Sequence, residues 1–243
     1  MPPAKIKALL LDLDDTLLIN DMRTFEPLYF HALMVHIRKA YDPRSFLDAL
    51  GEATRAMFHN DGTRGTNAEV FQIVFFSRIK HEPAEVMPFL ERFYTEGFES
   101  LRRYTAVDPD ARILVERAQQ EGYQIAIATQ PLFPLSAILA RLRWADVPAD
   151  EFAYDFISSY EVLGACKPHP YFFDTVISHL GRTAQECLMV GDSLEADMPA
   201  RQYGLKTFWV DRGRVKAPRR AAHARGSLSD LIKMIETGEI HDL

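Results

Sequence analysis

The pattern of apolar and polar positions divides the chain into three parts. Near the N-terminus, residues 6–11 are apolar except for Lys7, and this run stops abruptly at acidic side chains. A short, nearly continuous apolar run predicts a strand buried on both faces, as in a parallel sheet. Between about residues 18 and 105, the apolar positions recur at helical spacing without a strong strand pattern. After Asp108, short apolar runs alternate with helical patterns, which predicts a parallel sheet with right-handed crossovers.

The middle part predicts four helices inserted directly after the acidic strand end. Amphipathic faces at 25–35 and 46–57 predict the first two helices, and a third is expected over 67–80. The fourth is expected from Pro83 to about Gly97, because proline suits the first turn of a helix. Four helices with no strand between them form a bundle beside the sheet.

A polar loop, residues 59–67, joins the second and third predicted helices and contains Gly62 and Gly65. It is either a plain connection at the tip of the bundle or a segment that faces the acidic strand end. In the second case, His59 and Arg64 are the candidate substrate contacts.

The C-terminal part predicts four more strands and a terminal helix. The strands are expected at 123–128, 154–158, 187–190 and 206–210, and the helix at 227–236. The basic run between the last strand and this helix contains Arg212, Arg214, Lys216, Arg219, Arg220 and Arg225. Such a run is typical of a solvated loop, and no interleaved aromatic residues support a nucleic-acid or other anionic partner.

Polar residues follow the predicted strands at the points where the strands end. They are Asp12 and Asp14 after the first strand, Thr129 after the second, Asp192 and Asp197 after the fourth, and Lys167 in a loop before it. Because the ends of parallel strands open on one edge of a sheet, we expect these side chains to converge there. Taken singly, each of these residues has an ordinary structural explanation, as a turn residue, a loop lysine or a helix cap.

Phosphoryl transfer through a covalent enzyme intermediate is the chemistry that fits this set. A carboxylate can attack phosphorus if its repulsion from the anionic phosphate is cancelled. A Mg²⁺ ion held by Asp12 and Asp192, with or without Asp197, would cancel this repulsion. Lys167 would add a further positive charge. Thr129 can donate a hydrogen bond to the phosphate oxygens, and Asp14 can protonate the leaving alkoxide.

The four motifs resemble those of the haloacid dehalogenase superfamily. They stand as Asp12-Leu13-Asp14-Asp15-Thr16, Thr129, Lys167 within Lys167-Pro168-His169-Pro170, and Gly191-Asp192-Ser193-Leu194-Glu195-Ala196-Asp197. They occur in the family's order and span essentially the whole chain. The resemblance implies an α/β fold: a Rossmann-like parallel-sheet core, residues 1–17 and 106–243, with an inserted helical-bundle cap, residues 18–105.

The resemblance also implies a role for each motif residue. Asp12 would be the nucleophile and Asp14 the acid and base. Mg²⁺ would be bound by the carboxylates of Asp12 and Asp192 and by the backbone carbonyl of Asp14. Asp197 would either bind the ion directly or contact one of its ligands. Thr129 and Lys167 would hold the transferring phosphoryl group.

Two positions depart from the family pattern. Gln130-Pro131 follows Thr129 where Asn is frequent, so Gln130 is a candidate substrate contact and substrate preference cannot be carried over. The segment from Asp197 to Gly204 is one residue shorter than the pattern, and Pro199 could start its helix one position early.

Composition limits the remaining choices. The 243 residues suffice for one large domain or for a core with an insertion, and the net charge of −6 excludes a basic surface field for nucleic acid. The two cysteines, Cys166 and Cys187, fit a reducing compartment rather than a disulfide framework. Neither a signal peptide nor an apolar stretch of about 20 residues is present, so a cytoplasmic location without membrane contact is expected.

A phosphomonoester hydrolase acting on a small phosphate ester is the leading interpretation, because every chemical position is filled. A dehalogenase would use Asp12 but would need neither a metal nor a proton donor at Asp14. A phosphomutase would share the whole core, and a non-catalytic binding member would be expected to lack Asp12 or Lys167. Substrate identity and oligomeric state stay open.

Overall fold

The computed structural model describes residues 5–214, 218 and 221–243. Its strands are β1 (Ala8–Leu11), β2 (Leu18–Ile19), β3 (Ala106–Val107), β4 (Gln124–Ile127), β5 (Phe156–Ile157), β6 (Cys187–Gly191), β7 (Lys206–Val210) and β8 (Ala224–Gly226). Six of them form one parallel sheet in the order β5-β4-β1-β6-β7-β8. The α/β class predicted from the sequence is therefore confirmed.

The α-helices cover both faces of this sheet and build the bundle. They are α1 (Met22–Ile37), α2 (Pro43–Phe58), α3 (Asn67–Phe76), α4 (Pro83–Arg92), α5 (Pro109–Gln120), α6 (Leu135–Trp144), α7 (Pro170–Leu180) and α8 (Leu228–Thr237). In β1, Leu9 and Leu11 pack with α5, α6 and α8, whereas Ala8 and Leu10 pack with α7. All four residues are fully buried, which explains the continuous apolar run.

Helices α1–α4 form the bundle expected between the first strand and Asp108. Asp21 and Asp42 cap α1 and α2, and Thr66 with Glu69 forms a capping box at α3. α3 ends at Phe76, earlier than predicted, and α4 continues into a π-helical turn and a 3₁₀ segment that reaches Tyr104.

The short strands β2 and β3 pair antiparallel where the chain enters and leaves the bundle. This pairing lies beside the boundaries at residues 17/18 and 105/106, and the division into two domains at those positions stays a prediction.

Aromatic packing joins the bundle to the sheet. Phe98 stacks on Trp144 of α6 with ring centroids 4.9 Å apart, and Phe25 packs edge-on against both rings. The Trp144 indole Nε1 donates to Glu99 Oε2 at 2.7 Å. Bundle and sheet therefore share one hydrophobic cluster on this side.

Strand β8 was not predicted from the sequence. Its three residues extend the edge of the sheet beside β7, within the run that was interpreted as a solvated loop. Positions 215–217, 219 and 220 of that run lie outside the described residues. No helix in the described part of the chain is both long and apolar enough to span a bilayer.

Candidate active site

Strand register brings the ends of β1, β4 and β6 together. Leu11 lies opposite Ile127 on one side and Val190 on the other, and the backbone N–H of Asp12 donates to the Val190 carbonyl at 2.9 Å. The residues that follow these strands, Asp12, Thr129 and Asp192, therefore meet at the carboxyl edge of the sheet.

A buried lysine links two of the predicted carboxylates. Lys167 Nζ donates to Asp12 Oδ1 at 2.8 Å and to Asp197 Oδ1 at 2.6 Å. Asp197 Oδ2 accepts the Ser193 backbone N–H at 3.0 Å, and Thr16 Oγ1 donates to Asp12 Oδ2 at 3.3 Å. Lys167 is 4% exposed and Asp12 6%, so these charges interact with little water around them.

The negative charge of the clustered carboxylates exceeds the single positive charge of Lys167. Burial raises the pKa of Asp12 well above its usual value, against the lowering effect of Lys167. Burial, followed by the charges of Asp197 and Asp15, raises the pKa of Asp192 to about 7. Burial alone would lower the pKa of Lys167, but the charges of Asp12 and Asp197 outweigh it, so the pKa is raised and the ammonium form is retained.

Three of the predicted metal ligands are arranged to share a cation. Oxygen atoms of Asp12, Asp192 and Asp197 all lie within 4.8 Å of one another. The Asp192 carboxylate accepts no side-chain hydrogen bond within the described part of the chain. Hard divalent cations such as Mg²⁺ prefer oxygen-only donors with few carboxylates, so the residues present fit such an ion.

The Asp14 carboxylate points to a different set of partners. Its Oδ2 accepts a hydrogen bond from Arg141 Nη1, and its Oδ1 accepts one from Asn20 Nδ2 at 2.8 Å. Arg141 is fully buried in α6, and its guanidinium lies 4.6 Å from the centroid of the Phe133 ring. The ion pair with Arg141 and the hydrogen bond from Asn20 therefore fix the position of the Asp14 carboxylate in the site.

Arg141 was missed by the sequence analysis, although a signal was available. It lies on the face of α6 that also buries Ala137, Ile138 and Leu142. A charged residue at an inward position of a helix requires a buried partner, and this requirement points to a carboxylate in the core.

Two arginines of the basic run form ion pairs with carboxylates of the core, which corrects the interpretation of the run as a solvated loop. Arg212 Nη1 donates to Asp108 Oδ2 at 2.5 Å, and its other nitrogens donate to the backbone carbonyls of Asp15 and Thr16. Arg214 pairs with the Asp15 carboxylate. Both arginines therefore anchor the turn that follows Asp14, in which Asp15 has a left-handed φ of 53°.

Thr129 and Gln130 differ in how their polar atoms are used. The Thr129 hydroxyl has no hydrogen-bond partner among the described residues and faces the cavity. Gln130 instead braces the Lys167 backbone, since its Nε2 donates to the Lys167 carbonyl at 2.9 Å and its Oε1 accepts the Lys167 N–H at 3.0 Å. Gln130 also lines the cavity, so its role in substrate binding stays a prediction.

The loop with His59 and Arg64 packs against the core beside Lys167. The backbone of Asp61 pairs with that of Ala165 in a single antiparallel β-bridge, and the Asn67 N–H donates to the Leu163 carbonyl at 2.8 Å. Neither His59 nor Arg64 lines the cavity that contains the other candidate residues. This geometry gives no support to their predicted role as substrate contacts, which stays untested.

A cavity of about 760 Å³ connects the carboxyl edge of the sheet to the bundle. Asp12, Asp14, Thr129, Lys167, Asp192 and Asp197 line one end of it. Side chains of α1, α2, α3 and α4 line the other end. Its size is that of a site for a small molecule.

Comparison with known proteins gives a consistent result. A family model described as haloacid dehalogenase-like hydrolase matches residues 6–203. A glyceraldehyde 3-phosphate phosphatase from Pyrococcus abyssi is 28% identical and covers 95% of this chain and 94% of its own. A phosphoserine phosphatase from Thermus thermophilus is also 28% identical, over 86% of this chain and 90% of its own.

Among solved structures, CbbY from Rhodobacter sphaeroides in complex with phosphate is similar in fold. Its TM-score is 0.59 at 21% identity, and the match covers 98% of this chain and 100% of that chain. The match of the family model over most of the chain shows what the four motifs indicate: the chain belongs to the haloacid dehalogenase-like hydrolases.

Proposed function

We propose that this protein is a Mg²⁺-dependent phosphomonoester hydrolase that acts on a small phosphate ester through an aspartyl-phosphate intermediate. The observation that carries the proposal is the position of the Asp12 carboxylate. It lies 2.8 Å from the Lys167 ammonium and within 4.8 Å of the Asp192 and Asp197 oxygens, at the end of a cavity that Asp14 also lines.

In the first half of the reaction, a carboxylate oxygen of Asp12 forms a bond to phosphorus and the ester P–O bond breaks. This step requires Asp14 to begin in its protonated form; it gives the proton to the departing alkoxide, which leaves as the alcohol. Lys167 and the Thr129 hydroxyl interact with the phosphoryl oxygens as charge shifts among them.

In the second half, Asp14 takes a proton from a water molecule that attacks the same phosphorus. The acyl-phosphate P–O bond breaks, so the Asp12 carboxylate is regenerated and inorganic phosphate leaves. A Mg²⁺ held by Asp12, Asp192 and Asp197 would neutralise phosphoryl charge and cancel its repulsion from the nucleophile.

The curated relatives support hydrolysis of a phosphate ester, since the two described above are both named as phosphatases of small phosphorylated molecules. Asp14 and the clustered Asp192 and Asp197 argue against a dehalogenase, because that reaction needs neither a proton donor at Asp14 nor a metal. No feature of the described residues favours a phosphomutase over a hydrolase.

Release of inorganic phosphate from p-nitrophenyl phosphate and from a panel of alkyl and sugar phosphates tests the proposal. Activity should disappear in EDTA and return when Mg²⁺ is added in excess. Full activity in EDTA would contradict the metal requirement, and the absence of phosphate release from every ester with Mg²⁺ present would contradict the proposed function.

A further inference from the structure

The cavity changes character between its two ends. Beyond the catalytic carboxylates it enters the bundle, where apolar side chains of all four helices form its wall. Among them are Tyr29, Phe30, Leu33, Met57, Phe71 and Leu90. A wall of this kind favours hydrocarbon over hydrated polar groups.

Three hydroxyls in this wall, those of Tyr29, Tyr94 and Thr54, already form hydrogen bonds within the protein. The Tyr29 and Tyr94 hydroxyls are 2.9 Å apart, and Thr54 Oγ1 donates to the Leu50 carbonyl at 2.9 Å. Burial raises the pKa of Tyr29 and of Tyr160 to about 12, so both phenols stay neutral. A polyol placed against this wall would replace only some of the hydrogen bonds that it makes with water.

Each cation in the described part of the lining already forms an ion pair. Lys167 is paired with Asp12 and Asp197, and Arg23 near the opening is paired with Asp21. Arg212 and Arg214 are paired with Asp108 and Asp15.

The bundle side of the cavity instead carries Glu26 and Glu91, for which no ion pair is formed within the described residues. A carboxylate or second phosphate placed beside these two side chains would meet like charge.

From these observations, and on the basis of the proposed function, we infer that the substrate is a phosphate monoester of an apolar alcohol. Its hydrocarbon part lies between the helices of the bundle, and its only anionic group is the phosphate at Asp12. This substrate class differs from glyceraldehyde 3-phosphate and phosphoserine, which are named for the relatives and which carry further polar or charged groups with little hydrocarbon.

A series of n-alkyl phosphates from ethyl to octyl tests the inference. The leaving alcohols have nearly the same acidity, so changes in kcat/KM report burial of the chain rather than bond cleavage. Each methylene that enters the cavity should raise kcat/KM roughly fourfold until the cavity is filled. Phosphoserine and glycerol phosphate should be poorer substrates than butyl phosphate.

Two variants of Phe30 provide a matched control. Phe30→Leu and Phe30→Asn leave side chains of the same branched shape, but only the second places an amide in the wall. Phe30→Leu should retain the rise with chain length, and Phe30→Asn should flatten it while leaving kcat/KM for ethyl phosphate close to that of Phe30→Leu. Melting curves of both variants check that each is folded.

The outcomes separate this inference from the proposed function. If kcat/KM is flat or falls with chain length while phosphoserine or a sugar phosphate is hydrolysed well, the apolar substrate class is wrong and the hydrolase stands. If no ester of any class releases phosphate, both are wrong. Equal chain-length profiles for Phe30→Leu and Phe30→Asn would show that the hydrocarbon does not lie against this wall.

Discussion

The fully buried guanidinium of Arg141 donates a hydrogen bond to the carboxylate of Asp14, the residue proposed as acid and base. Asn20 holds the other oxygen of Asp14 at 2.8 Å. Because Arg141 is itself packed over Phe133, it fixes where the Asp14 carboxylate lies relative to Asp12. In the proposed mechanism, proton delivery to the leaving group therefore depends on α6, a helix that contains none of the four motifs.

Replacement of Arg141 by Met should impair proton transfer more than phosphorus attack. We expect kcat for an alkyl phosphate to fall roughly 10- to 100-fold, and kcat for p-nitrophenyl phosphate, whose leaving group needs little protonation, to fall less than about threefold. Steady-state kinetics with both substrates measure the difference.

Asp14→Asn supplies the control for this prediction. Adding Arg141→Met to Asp14→Asn should cause little further loss, because the two residues act as a unit. Equal losses on both substrates, or losses that add in the double variant, would mean that Arg141 supports only the fold.

Thr129 should contribute through its hydroxyl. Thr129→Val keeps the shape of the side chain but removes the donor that faces the cavity, so kcat/KM should fall by roughly 10²-fold. Thr129→Ser retains the hydroxyl and should retain most of the activity. Similar activity of the Val variant and the parent protein would show that this hydroxyl makes no contact with the phosphoryl group.

Asp192 should be required for metal binding while opposing the stability of the metal-free protein. Asp192→Asn removes one of three clustered negative charges, so its melting temperature in EDTA should equal or exceed that of the parent. Excess Mg²⁺ should raise the melting temperature of the parent and leave that of Asp192→Asn nearly unchanged. A Mg²⁺-dependent rise of the same size in both proteins would place the ion elsewhere.

Arg212 should matter for stability because it connects β7 to the turn after Asp14. Arg212→Met leaves the buried Asp108 carboxylate and two backbone carbonyls without their donor, so the free energy of unfolding should fall by roughly 2–4 kcal/mol. Denaturant unfolding measures this change.

Arg23→Met offers a matched comparison for Arg212, since its pair with Asp21 is exposed. The Arg23 side chain is 76% exposed, and loss of such a pair should change stability by less than about 1 kcal/mol. Equal destabilisation by the two substitutions would contradict the structural role assigned to Arg212.

The convergence of side chains at the carboxyl edge of the sheet was predictable because these residues follow strongly apolar strands. The buried run of β1 marks where Asp12 lies, and parallel pairing brings Thr129 and Asp192 beside it. Residues that contact the site only through tertiary packing leave a weaker signal in the sequence. Arg141 is 127 positions from Asp14, and periodicity alone shows that it faces inward but not which carboxylate it meets.

The basic run shows a second limit of sequence reasoning. Arg212 is 196 positions from Thr16, and the link between them depends on how β7 ends beside the turn after β1. Local composition favours solvent for such a run, and tertiary contacts override that preference. β8 was missed for a related reason, since a three-residue edge strand has no hydrophobic pattern of its own.

Direct detection of the phosphorylated enzyme tests the central claim. Asp14→Asn should slow hydrolysis of the acyl-phosphate, so this variant should accumulate label after incubation with Mg²⁺ and radiolabelled acetyl phosphate. Acid-quenched protein is then counted and its labelled peptide identified by mass spectrometry. The account predicts an acid-stable, hydroxylamine-sensitive label on Asp12 that is absent from the Asp12→Asn/Asp14→Asn double variant. Equal labelling of the double variant, or a phosphate on any other residue, would contradict it.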